Sequence, residues 1–404
     1  MNRSWNRALA FAIALVLLSS AAWSQSEPIK IGEINILSGA FAAYGKSGKQ
    51  GAELAIDEIN AAGGVLGRKL VLTQVDSQAK PDIGAQEARR LILNEKVNVL
   101  FGIDSSSVAL AVAPLTNEYK IPLVVTHAAT PKLTEQCLPY VFRTSNNARM
   151  DAFAAAELAS KLPYKRWANI GPDYEFGRAS WDDFISRLKQ LKPDVQVVSE
   201  QWPKGNESNY TPYITALLQA KPEAVFSSLW AGDLVTFTRQ ANAFGFFKQI
   251  KLFEDVIGAS LESLVPLGKE APQGALYSTR YWFLYPETPR NKTFVDAYHK
   301  RFNEYPSYNA EEHYAGMHML AAAIKKAGSL NPDALKKAFE AGGGMRYDAP
   351  EGTKWMRPAD HQVFENLVWG YTTQSPQYPF AILKDIKVVP EKSTVYPTKC
   401  GGGK

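Results

Sequence analysis

VNVLFGIDSSSVALAVAPLTNEYKIPLVVTHAATPKLT, residues Val97 to Thr134, packs a strand, a helix and a second strand into one stretch. Val97 to Phe101 is an apolar, β-rich run of the kind that forms a parallel strand buried on both faces. Ser105, Ser106 and Ser107 follow as helix-capping residues ahead of the helical run Val108 to Tyr119. Ile121 to Thr126 is a second strand, and His127-Ala128-Ala129-Thr130 is a small-residue turn halted by Pro131. In open α/β sheets ligands sit outside the carboxyl ends of the strands, where both polar turns lie. Free N–H groups at a helix start, with three hydroxyls beside them, suit a carboxylate or phosphate.

The same alternation runs in both directions from this unit. Ile29 to Leu37 is a strand that ends in SGAFAAYG, Ser38 to Gly45. A helix from Ser47 to Ala62, a strand from Lys69 to Val75 and an amphipathic helix from Pro81 to Asn94 follow. After Phe142-Arg143-Thr144 the pattern restarts, with polar turns at GPDYEFG (Gly171 to Gly177), LWAGD (Leu229 to Asp233) and Glu254-Asp255. Three helices, Asn291–Asn303, Ala310–Ala327 and Asn331–Ala341, build no sheet of their own and are expected to cover the first lobe. Gln362 to Thr372 and Phe380 to Val389 read as closing antiparallel strands of the second lobe. The expected fold is α/β: two doubly wound, Rossmann-like lobes joined by a multi-crossover hinge near Thr144, Thr279 and Tyr347. In residue terms, lobe 1 is 25–144 and 280–347, lobe 2 is 145–279 and 348–390, and 391–404 is a C-terminal tail.

Arg3 and Arg7, the apolar run Ala8 to Leu18 and the small residues Ala22 and Ser24 spell a secretory signal peptide, residues 1–24, cut after Ser24. The run is too short for a permanent membrane span, and the mature chain is expected to be periplasmic. Forty-five Lys and Arg face 40 Asp and Glu. No basic block or aromatic-interleaved Arg/Lys stripe points to nucleic acid. Two cysteines in an exported chain imply one disulfide, Cys137 to Cys400.

The opening strand with SGAFAAYG and GAELAIDEINAAGGVLGRKL, then GIDSSS, HAATPKLT, YVFRTS and DYEFG, resembles the branched-chain amino-acid-binding (Leu/Ile/Val) type of periplasmic solute receptor. The likeness spans nearly the whole mature chain, in order. It implies the solute-binding component of an ABC importer that closes two lobes on a small solute and delivers it to an inner-membrane permease. In that family the solute carboxylate is held from the first lobe, which falls here on Ser105, with Ser106 and Asp104 adjacent, and on Ala128, Ala129 and Thr130. Tyr174 and Phe176 would close from the second lobe. Glu254 or Asp255 matches the family's acidic position for an ammonium, and Trp230 and Asp233 occupy another cleft-facing turn. Tyr44, Trp230, Tyr281 and Trp282 would carry the apolar part of the solute.

The expected solute bears a carboxylate. An amino acid needs Glu254, Asp255 or Asp233 in the cleft, whereas an aromatic acid such as a hydroxybenzoate or cinnamate needs a flat apolar slot. An amide or urea-type solute, or a sensor role for a signalling partner, is the other reading of the same resemblance. The receptor is expected to act as a monomer and without a cofactor. Catalysis is not expected: no GxSxG elbow frames Ser105 to Ser107, and Asp104 beside them has no path to orient His127. His299, His313, His318 and His361 form no metal-ligand spacing, and Gly63 to Gly67 follows a helix, which removes a dinucleotide reading.

Overall fold

The computed structural model describes residues 27–401, so the expected signal peptide lies outside the described residues. Among the described residues fifteen strands run in chain order: β1 (Ile29–Asn35), β2 (Leu70–Asp76), β3 (Val99–Gly102), β4 (Leu123–Val125), β5 (Val141–Arg143), β6 (Arg166–Ile170), β7 (Gln196–Gln201), β8 (Ala224–Ser227), β9 (Leu252–Asp255), β10 (Leu276–Thr279), β11 (Arg346–Ala349), β12 (Gly352–Arg357), β13 (Gln362–Phe364), β14 (Leu367–Thr373) and β15 (Ile382–Val389). They form two sheets, ordered β11-β12-β13-β5-β4-β3-β1-β2 and β15-β14-β10-β9-β8-β6-β7. Within each, the five strands that come first in the chain are parallel and follow one plan, 2-1-3-4-5 in the first and its equivalent 7-6-8-9-10 in the second. The strand order reverses beside β1/β3 and beside β6/β8, the switch points where such sheets leave a crevice.

Burial explains the arrangement. β3, β8 and β9 are buried at every position, as strands covered by helices on both faces must be. One face of the first sheet packs Ile31, Val99, Phe101 and Val124 against the helices Ala42–Ala61 and Tyr308–Ala327, through Ile56, Met317 and Leu320. The other face packs Leu100, Leu123 and Val125 against Val108 and Val112 of the helix Ser106–Tyr119. Leu335 and Phe339 of the helix Pro332–Glu340 join the first of these cores, so the helices late in the chain return to the first lobe.

The return to lobe 2 differs from the expected one. Residues 348–390 are expected there from two strand-like runs, 362–372 and 380–389; the second joins that sheet, but the first breaks at Glu365-Asn366 and gives one strand to each sheet. Gln362 of β13 pairs with Arg143 of β5, and β11 and β12 extend the same sheet as a hairpin, so Tyr347 lies on a strand and the third crossover falls at Glu365-Asn366. The buried Glu365 carboxylate accepts the Asn146 N–H at 2.9 Å, which ties this crossover to the first one.

The tail crosses back as well. From β15 it runs to lobe 1, where Cys400 is disulfide-bonded to Cys137. On the way the Tyr396 hydroxyl accepts from the Asn147 amide, and the Tyr396 carbonyl accepts from Arg357 at 2.5 Å. Among the described residues no helix is long and apolar enough to cross a membrane.

Candidate functional site

The carboxyl-end loops of both sheets converge on one small gap, lined by Asp104, Ser106, His127, Ala129, Tyr174, Phe176, Trp230, Ile257 and Arg280. The lobes are closed on it. About 10 Å³ is left, near the minimum for a single water. A solute can therefore enter only as the lobes part. Trp230, from the turn after β8, reaches across to stack on Phe41 at 4.2 Å and to meet the edge of Tyr44 at 5.0 Å. His127 in turn stacks on Tyr308 at 5.4 Å. Flat walls from both lobes thus face each other.

The loop after β3 is held in an unusual conformation. Ile103 has φ 71°, which a β-branched residue rarely adopts, and is pinned by its N–H on the Ile34 carbonyl (2.8 Å) and its carbonyl under the Ala128 N–H (2.9 Å). This turn sends the Asp104 carboxylate back into lobe 1. There it accepts from the Ile36 N–H at 2.9 Å and from Asn309 at 3.3 Å. Ser105 caps the following helix without a side-chain hydrogen bond. Ser106 accepts the Thr130 N–H at 3.1 Å, which joins the two first-lobe turns.

Arg280, directly after β10, is the cation of the gap. Its Nη1 donates to the His127 carbonyl at 3.0 Å and to Glu312 at 3.1 Å, and its Nη2 donates to Asp151 at 3.2 Å. Burial opposes its charge, but Asp151 and Glu312 more than offset that and raise its pKa. His127 shares Glu312 through Nδ1 at 2.8 Å. Burial, then Arg280, pushes the His127 pKa down to about 3, so the ring is neutral at pH 7. With Nδ1–H donated to Glu312, Nε2 is left as an acceptor. Glu312 itself is pushed up to about 7 by burial, with Arg280 pulling it back. Two buried donors at the gap have no acceptor in hydrogen-bond geometry: Arg280 Nε, and Trp230 Nε1, which lies beside the Tyr174 hydroxyl.

The residues named from sequence divide into two groups. Ser106, Ala129, Tyr174, Phe176 and Trp230 line the gap. Tyr44 stands behind Trp230, its hydroxyl accepting from Tyr308 at 3.0 Å. The Ala128 carbonyl accepts from Arg143 at 3.2 Å, and the Thr130 hydroxyl donates to Glu175 of the second lobe at 3.0 Å. The acids expected to meet an ammonium lie elsewhere. Glu254 and Asp255 are fully buried within β9, and neither lines the gap. Asp255 accepts the Ile257 N–H at 2.9 Å, and burial lifts its pKa to about 7. Burial raises Glu254 well above the carboxylate range. Asp233 sits in the first turn of the helix Ala231–Ala243 and accepts the Asn206 N–H at 3.2 Å. Tyr281 and Trp282 are also buried off the gap.

Sequence reading missed Arg280 and Ile257. Both follow strand ends, Ile257 after β9 and Arg280 after β10, so the rule that selected the other turns reaches them too. Arg280 stands at the head of the aromatic run Tyr281 to Tyr285, whose rings are the more conspicuous feature of that turn.

A family model described as periplasmic binding protein matches residues 28–374. Leu/Ile/Val-binding protein homolog 7 of Brucella suis biovar 1 (strain 1330) is 29% identical over 344 residues, 82% of this chain and 85% of that protein. A solute-binding protein of an ABC transporter from Rhodopseudomonas palustris BisB5, solved with 3,4-dihydroxybenzoic acid, is 27% identical with a TM-score of 0.83, covering 90% of this chain and 98% of that one. A structure described as an ABC-type branched-chain amino acid transporter from Rhodopseudomonas palustris CGA009 is 25% identical with a TM-score of 0.73, covering 92% and 99%.

Proposed function

The chain belongs to the periplasmic binding protein family, and we propose that it captures a small aromatic carboxylate, of the hydroxybenzoate class, for an ABC importer. One observation carries this reading: the gap sets a buried arginine with an unpartnered Nε–H beside aromatic walls, and the one carboxylate among the described lining residues, Asp104, is already hydrogen-bonded. An amino-acid solute brings an ammonium as well as a carboxylate. Asp104, the one carboxylate among the described lining residues, already accepts from Ile36 and Asn309, and Glu254, Asp255 and Asp233 lie off the gap. An aromatic acid needs only the anion partner and a flat slot. Arg280 Nε and Trp230 Nε1 supply the donors, Trp230, Phe176 and Tyr174 the faces, and the neutral His127 Nε2 an acceptor for a ring hydroxyl. The 3,4-dihydroxybenzoic acid carried by the Rhodopseudomonas palustris BisB5 relative supports the same class. In this reading the chain works in the periplasm, with the leader removed, and hands its solute to an inner-membrane permease.

Calorimetric titration with 4-hydroxybenzoate, benzoate and leucine tests the reading. The aromatic acids are expected to bind in the micromolar range, near −8 kcal/mol, and leucine to give no heat. Leucine binding without aromatic-acid binding overturns it.

A further inference from the structure

A single carboxylate ties the two lobes together outside the gap. Glu262 belongs to lobe 2, in the first turn of the helix Leu261–Leu267. Its Oε1 accepts from the Ser47 hydroxyl at 2.5 Å and from the Ser307 hydroxyl at 2.6 Å. Both serines belong to lobe 1: Ser47 is on the helix Ala42–Ala61 and Ser307 caps the helix Tyr308–Ala327.

The protons account for both bonds. Ser307 Oγ accepts the Ala310 N–H at 3.3 Å as a helix cap, which leaves its own proton for Glu262. Ser47 Oγ lies 3.0 Å from the Tyr44 carbonyl, to which Asn309 also donates at 2.6 Å, and 2.5 Å from Glu262. The hydroxyl has one proton, and the shorter contact, to a carboxylate, directs it across the cleft. Glu262 does not line the solute gap. It faces a separate interlobe cavity of about 400 Å³ with Lys46, Tyr305 and Phe380. Lys46 is paired with Glu304 at 2.5 Å, and among the described residues no ion pair is formed to Glu262.

We propose that Glu262 is a closure latch: it fixes how long the lobes stay shut through Ser47 and Ser307, without touching the solute. Ser47 lies one helical turn beyond Tyr44, so the latch clamps the helix that carries the wall behind Trp230. Opening must break both bonds, whereas encounter with solute takes place before either has formed. The latch thus acts on release more than on capture. It rests on the chain being a receptor that closes, and not on which solute it takes.

The test uses the full mature chain as wild type, Glu262→Ala, Ser47→Ala and the Ser47→Ala/Ser307→Ala pair. Stopped-flow tryptophan fluorescence with 4-hydroxybenzoate is expected to show the dissociation rate rising about tenfold or more in Glu262→Ala, with the association rate within about twofold. The serine pair should match it. Small-angle scattering of the solute-free chains should show a larger radius of gyration in both, a readout independent of solute. Ser47→Ala, the mildest change, should move each quantity part of the way and guards against loss of fold in the others. Unchanged dissociation together with unchanged radius overturns the latch. A changed radius in a chain that does not bind 4-hydroxybenzoate upholds the latch and removes the aromatic-acid reading.

Discussion

Replacing Arg280 by methionine keeps an unbranched apolar stem as far as the Nε position and removes the cation that three partners share. If a solute carboxylate takes Arg280 Nε, the variant loses one charge-assisted hydrogen bond, about 1.5–3 kcal/mol. At about 1.4 kcal/mol per factor of ten, 4-hydroxybenzoate should bind about tenfold to about 150-fold more weakly. Stability also falls, because Asp151 and Glu312 lose a buried partner; breaking such a pair costs about 3–5 kcal/mol when the remaining charge cannot be relieved. Here it can. Burial already holds Asp151 near 6 and Glu312 near 7, with Arg280 pulling both down, so each moves further up in the variant and takes a proton. A carboxyl whose folded pKa is raised contributes its stability below the unfolded pKa and loses it as pH rises through the folded value. The variant should therefore be close to wild type in melting temperature at pH 5.5 and fall progressively behind up to pH 8. Titration calorimetry at pH 6, where the variant is folded, separates affinity from stability. Arg280→Lys, which keeps the charge without the planar fork, should lie between. Wild-type affinity in Arg280→Met would refute the anchoring role.

Three further outcomes follow from other parts of the molecule. Trp230→Phe keeps an aromatic wall and removes the indole N–H; a net hydrogen bond of about 1 kcal/mol makes about a fivefold weaker affinity the expected calorimetric result, and no change would remove Trp230 Nε1 from the site. Glu33 is fully buried, donates nothing in its charged form, and is lifted by burial and then by Asp104 to about 8. Its stabilising contribution is present below pH 4.5 and lost as pH rises toward 8, so Glu33→Gln should gain on wild type in melting temperature between pH 5 and pH 8.5, and a constant difference would contradict the assignment. Cys137→Ser/Cys400→Ser opens a loop spanning 263 residues. Chain entropy puts the loss at about 2–5 kcal/mol, visible as a melting point several degrees lower by calorimetry, and an unchanged melting point would show that the tail holds without its covalent tie.

Much of this architecture was legible in the residues because period and burial agree. Val99 to Gly102 and Ala224 to Ser227 are apolar enough to be buried on both faces, and the polar turns that follow them fall at strand ends by necessity. The crossover at Glu365-Asn366 was not legible. Gln362 to Thr372 is a continuous strand-like run, and only pairing partners far away in the chain, Arg143 for Gln362 and Val389 for Leu367, split it between two sheets. The acids are placed away from the lining for a different reason. Glu254 and Asp255 end a strand, as a ligand-facing pair would, yet β9 is buried along its whole length and the turn that reaches the gap begins two residues later, at Ile257.

The position of Arg280 gives the proposed anchor its mechanical sense. It lies where the chain leaves β10 for the first lobe, and its guanidinium spans the hinge: His127 and Glu312 belong to lobe 1, while Asp151 follows the first crossover into lobe 2. Asp151 also meets Asn146, whose backbone N–H binds Glu365 at the third crossover. A group fixed to all three connections moves little when the lobes rotate, since displacement grows with distance from the axis. Trp230 and Glu262 sit on the moving side and make their lobe-1 contacts only on closure. A carboxylate bound at Arg280 would thus be held in open and closed forms alike, while the ring of the solute is enclosed only when Trp230 arrives. Affinity for the carboxylate alone should then be nearly independent of closure. Acetate binding should be insensitive to Glu262→Ala, and benzoate binding should not.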